Sequence, residues 1–212
     1  MEKRKTSSDY MLLFVYRLGR LIVINFLLLI CSIPVITTGA AICAAHKVLM
    51  DMACDCEEHV VRSFFEAFKD NFKQSTAAFL ITAVVAFLLY MEFILVNNFL
   101  PSTSFLNVMF TILACVAGGV AIYLFPLITR YDNTLKGQIK NAAMIAIMQL
   151  HKTVLMVAMH AIPIILFFFF PQVFVFSLIG WLSLGISFIM YLDAMLMKPA
   201  FEEIEEEKGF WD

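Results

Sequence analysis

The chain has 212 residues, of which 62% are hydrophobic and 15% charged, with 22 phenylalanines and a formal net charge of −2. Soluble domains run at roughly 45–50% apolar and about 25% charged, so the surplus apolar surface here has to face lipid. That excludes a soluble globular domain, a disordered chain and a nucleic-acid binder with a basic field, and leaves an all-α polytopic membrane protein.

A helix needs roughly 20 predominantly apolar residues to span a hydrocarbon core of about 30 Å. The first apolar region, 11–52, is broken by Pro34, Thr37 and Gly39. It reads either as one helix kinked at Pro34 or as a hairpin of spans 11–33 and 37–52. Next comes a segment, 60–74, in which Val61, Phe64, Phe65, Phe68 and Phe72 fall on one helical face and Arg62, Glu66, Lys69 and Lys73 on the other. This is the pattern of an amphipathic helix lying at the interface with its rings in the acyl boundary. Spans of 75–96 and 105–128 follow, divided by breakers around Pro101. A second inner-face helix is expected over 133–150, with Leu135, Ile139, Ala143 and Ala146 on a common side and Asp132 or Asn133 as its N-cap. Spans of 153–170 and 173–192, divided at Pro171, lead to an acidic tail over 194–212.

Lys and Arg collect on the cytoplasmic side of membrane proteins. Of the 15 basic residues, Lys3, Arg4, Lys5, Arg17 and Arg20 lie at or before the first span, and four lie between Lys47 and Lys73. Four more lie between Arg130 and Lys152, and Lys198 and Lys208 close the chain. Five crossings would put five or ten of these outside, whereas six crossings put all of them inside. The reading is therefore six crossings in a bacterial cell membrane with both termini cytoplasmic, and a second helix that is short and carries Lys47 and Asp51 at i,i+4.

Three blocks carry a resemblance: Asn25 with Ser32 through Ala40; Phe64 through Gln74; and Phe125 through Lys136 with Lys140-Asn141-Ala142. With these the chain resembles the YesL-like family of bacterial membrane proteins, domain-of-unknown-function family 624, over most of its length. It departs from that pattern at Asp51-Met52-Ala53-Cys54-Asp55-Cys56, which is more acidic and cysteine-rich. The resemblance implies a genomic neighbourhood of carbohydrate ABC importers and hence an accessory or assembly role in sugar uptake. On that reading Phe64, Phe65, Phe68, Asn71, Phe72 and Lys73 are candidates for docking a partner such as an importer subunit. Asn25, Pro34, Thr37, Gly39, Pro126, Arg130, Asp132 and Asn133 form the structural motif.

Chemistry-bearing groups are few. Glu92 and His160 are ionisable residues inside apolar runs, where such groups are costly and count as functional candidates. They motivate the alternative reading, a small-solute transporter or channel acting on its own. Cys54-x-Cys56 with His59 offers soft ligands, but its spacing and the want of a second pair argue against zinc. The five cysteines are odd in number and read as reduced thiols. No catalytic signature is present, so neither an enzyme nor a cofactor is expected.

Overall fold

A computed structural model describes residues 7–54, 59–99 and 104–206. The expected turn at Pro101, the acidic stretch from Asp55 to Glu58 and the last residues of the tail lie outside the described residues, as do Lys3, Arg4 and Lys5. Among the described residues every regular element is helical: α1 (Ser7–Cys31), a 3₁₀ turn (Val35–Thr37), α2 (Thr38–Ala53), α3 (Val60–Asp70), α4 (Phe72–Phe99), α5 (Ser104–Arg130), α6 (Leu135–Met148), α7 (Leu150–Phe169), α8 (Pro171–Gly180), a π-helical segment (Trp181–Gly185) and α9 (Ile186–Glu206). Six helices are long and apolar enough to cross a membrane, and the protein is a multi-pass all-α membrane bundle.

The second of these differs from the others. Within α2 61% of the apolar window is buried inside the protein, against 6–22% in the other five. Gly39, Ala40, Ala41, Ala44 and Ala45 make it a narrow rod, and α1, α3, α4, α5 and α9 all pack on it. Small residues allow this close approach where lipid supplies no hydrophobic drive. A Cβ on Gly39 would run into the Ser75 carbonyl and Phe79 of α4. Lys47 and Asp51 pair at 3.0 Å, as their spacing requires.

The hairpin reading of the first region holds locally. Pro34 opens the 3₁₀ turn, and the Thr37 hydroxyl donates to the Cys31 and Pro34 carbonyls, occupying acceptors at the end of α1. The turn also packs against the start of α4. Thr76 Oγ1 donates to the Ile36 carbonyl at 3.4 Å, and Gly39 lies against Ser75. The turn after α1 and the first turn of α4 are therefore neighbours. The α3 helix then doubles back along α2.

Three expectations are corrected. α3 does not lay all its rings in lipid: Phe64 is fully buried in the protein core, while Phe65 is exposed. The amphipathic segment also ends at Asp70, and Asn71 bridges to α4, its Nδ2 donating to the Ala67 carbonyl and its own carbonyl accepting from Ser75 Oγ. In α6 the N-cap is Thr134, whose Oγ1 accepts the Gly137 N–H at 3.2 Å; Asn133 instead accepts the Thr134 N–H, and Asp132 is exposed. The buried face of α6 is Gln138, Asn141, Ala142, Ile145 and Ala146. Finally, residues 194–206 are not a tail. α9 continues through Pro199, and Ala194, Met197, Ala200 and Phe201 are buried.

Candidate functional site

The sixth apolar helix delivers a carboxylate into the protein interior. Asp193 on α9 is 0% exposed, and neither of its oxygens has a hydrogen-bond partner. His160 of α7 places Nε2 3.6 Å from Asp193 Oδ2. His46 of α2, also buried, faces the same cavity, and its Nδ1 has no hydrogen-bond partner. The cavity measures about 530 Å³ and is otherwise walled by apolar and aromatic side chains, including Phe125, Phe174 and Trp181. Fully buried Tyr123 of α5 brings its hydroxyl into the electrostatic neighbourhood of Thr153 and Asp193. Among the described residues no cluster of three His, Cys, Asp or Glu is arranged to hold a metal ion.

The hydrogen-bond inventory of imidazole fixes what the pair can be. His160 Nδ1 lies 3.0 Å from the Met156 carbonyl, an acceptor only, so that nitrogen carries a proton. In a neutral ring Nε2 is then a lone pair, and an ionised Asp193 beside it would set acceptor against acceptor in an apolar surrounding. A bare carboxylate there is expensive. A proton shared across that 3.6 Å gap, on the imidazole or on the carboxyl, would relieve the arrangement and would belong to the pair rather than to either residue. His160 lies at the edge of the bundle and Asp193 inside it, their side chains being 41% and 0% exposed.

Asp193 faces inward because of what precedes it. The π-helical segment from Trp181 to Gly185 inserts extra backbone into the helix, and one added residue rotates everything beyond it by about 100°. Such a segment frees backbone groups, and Asn25, buried halfway along α1, takes them up. Its Nδ2 donates to the Leu182 carbonyl at 2.6 Å, and its Oδ1 accepts the Ser187 N–H at 3.0 Å. The Ser187 hydroxyl returns a bond to the Leu21 carbonyl at 2.9 Å. Lower down, Arg17 donates to the Tyr191 hydroxyl at 3.3 Å. These contacts lock α1 to α9 on either side of the segment.

The residues singled out from sequence fall into separate groups. Glu92 is exposed on α4 and lines neither this cavity nor the apolar one between α4 and α5, so it and His160 do not form a pair. Phe64, Phe68 and Phe72 follow one another along the α3–α4 junction, the first pair stacked with centroids 6.4 Å apart and the second tilted at 5.8 Å. Lys73 is exposed there. Arg130 lies over the Phe201 ring at 5.4 Å, and Gln74 donates to the Asn133 carbonyl at 2.8 Å, tying α4 to the α5–α6 joint. Pro126 sits inside α5, where the Thr129 hydroxyl donates to its carbonyl at 2.8 Å. Gly119 meets Thr153 of α7, whereas Gly118 and Gly180 have open space and Gly185 accommodates the Trp181 ring of its own helix.

Sequence reading missed Asp193 and His46. Asp193 stands where the uncharged run ends, between the span expected over 173–192 and the tail expected over 194–212. The signal against that was the apolar stripe of Met190, Ala194, Met197 and Phe201, which continues at helical spacing past it. His46 was screened by its neighbours Lys47 and Asp51, which marked α2 as a helix end.

Comparison with known proteins adds one finding. The family model described as "Protein of unknown function, DUF624" matches residues 21–93. No curated protein and no solved structure matches.

Proposed function

We propose, from a chain that belongs to the DUF624 family through residues 21–93, that the protein is a proton-linked transport component of a bacterial cell membrane and not an enzyme. The observation that carries the proposal is the bond from His160 Nδ1 to the Met156 carbonyl, which leaves Nε2 facing an unpartnered, buried Asp193. Protonatable carboxylate and imidazole groups inside a membrane bundle mark proton and solute pathways. On the charge pattern, the ends bearing Arg130, Lys136, Lys140, Lys152 and Lys198 are cytoplasmic. Proteoliposomes holding the purified protein alone should dissipate an imposed pH gradient through a His160-dependent path. A gradient that decays equally with and without the protein would refute this.

A second reading retains the accessory role in sugar import suggested by the family resemblance. One feature favours it: Phe65 is exposed on α3 beside the exposed Arg62–Glu66 pair, held at 2.8 Å. An aromatic side chain among charges on an outer face suits docking to an importer subunit. Co-purification with an importer that is lost on Phe65→Ser would support it, and unchanged co-purification would count against it.

A further inference from the structure

We infer that the cavity floored by Asp193 takes an organic cation, an ammonium head on an apolar body, in exchange for the proton held by the His160–Asp193 pair. The inference rests on the proton-linked reading and names what the proton exchanges with. A volume of about 530 Å³ is in the range of small-molecule sites, and the walls are apolar apart from a few convergent polar groups. Among the described residues, the titratable ones lining it are His46, His160 and Asp193. Both oxygens of the fully buried Asp193 are unclaimed by hydrogen bonds. A carboxylate with acceptor capacity to spare asks for a donor cation. Phe125, Phe174 and Trp181 offer apolar contact to the body of such a ligand and ring faces to its charge. An anion would meet the carboxylate, and a polyol would leave most of its hydroxyls unpaired against apolar walls.

The exchange balances in charge and protons. The pair holds one proton and is neutral overall. An incoming R–NH₃⁺ occupies the Asp193 carboxylate, and the proton leaves through His160 Nε2 to water, so one cation enters as one proton departs. The groups facing Asp193 from the elements packed on α9 are His46 of α2, His160 of α7 and Tyr123 of α5. From α1, Arg17 reaches Tyr191, two residues away.

The test uses the full chain in lipid nanodiscs with Trp211→Phe, which leaves Trp181 as the sole tryptophan. Three probes share one body: 4-phenylbutylamine, 4-phenylbutanol and 4-phenylbutyrate. Trp181 fluorescence reads binding, and a pH-indicator dye reads proton release. The amine should bind at least about tenfold tighter than the alcohol and release about one proton per site, with the anion weakest. Asp193→Asn should abolish both the preference and the release. Equal binding of amine and alcohol overturns the inference, and this comparison needs no variant to fold. Amine preference without proton release overturns the exchange. Should the probes bind alike while spectroscopy still finds a proton shared by His160 and Asp193, the cation inference falls and the proton-linked reading stands.

Discussion

Asn25 Oδ1 accepts the Ser187 N–H at 3.0 Å, joining the first helix of the chain to the last at the one place where the last departs from α-helical winding. The same side chain donates to the Leu182 carbonyl, so a single amide serves both sides of the π-helical segment. Asn25→Leu removes both bonds and leaves buried backbone groups unpaired in an apolar setting. The expected cost is about 2 kcal/mol of stability, given that interhelical bonds in membranes run from roughly 0.6 to 2 kcal/mol each. Thermal unfolding in detergent checks this, and Asn25→Leu unfolding together with the native protein would show that the clamp carries no weight.

Removing the winding defect should separate fold from function. Deleting Ser183 lets the Trp181–Gly185 segment relax to an α-helix and turns Asp193 by about 100° away from His160. The expected protein is still folded and helical by circular dichroism but has lost proton movement in proteoliposomes. Retained proton movement would mean that the segment does not aim Asp193.

The α2–α4 contact predicts a contrast between two glycines. Gly39→Ala forces a methyl onto the Ser75 backbone and should cost about 1–3 kcal/mol by overpacking. Gly118→Ala meets open space and should change stability by less than about 0.5 kcal/mol. Denaturation midpoints of the two variants, measured side by side, give the answer.

Adjacent phenylalanines on α3 should behave as opposites. Phe64 is 0% exposed and Phe65 is 40% exposed. Phe64→Ala should cost about 3–5 kcal/mol, whereas Phe65→Ala should leave stability nearly unchanged and affect only partner association. Equal destabilisation by both would contradict the placement of α3.

What could be read from sequence followed the length of the signal. The apolar runs that became α1, α4, α5 and α7 are long enough to show their period and face lipid over most of their surface, so composition alone marks them. α2 obeys a different rule. Its environment is other helices, and a small-residue rod packed on five sides looks from sequence like a weak span. The same confusion hid the site. An ionisable residue in the middle of an apolar run, such as Glu92, draws the eye, yet the structure leaves it exposed. Asp193 sits at the end of its run, where residue type does not mark it as interior, although tertiary packing carries the core another two turns beyond it. Asn25 was legible as a member of the structural motif, but the π-helical segment it serves leaves no mark in residue type.

On the proposed function, His160 and Asp193 hold one proton between them. Nitrogen-15 NMR of the His160 ring, combined with infrared spectroscopy of carboxyl groups, reads that proton directly in the native protein at neutral pH. One of two patterns is expected: an imidazolium at His160, or a protonated carboxyl at Asp193 beside a neutral ring. Asp193→Asn should revert either pattern to a neutral imidazole protonated on Nδ1. An ionised Asp193 beside a neutral His160 in the native protein would show that the two share no proton.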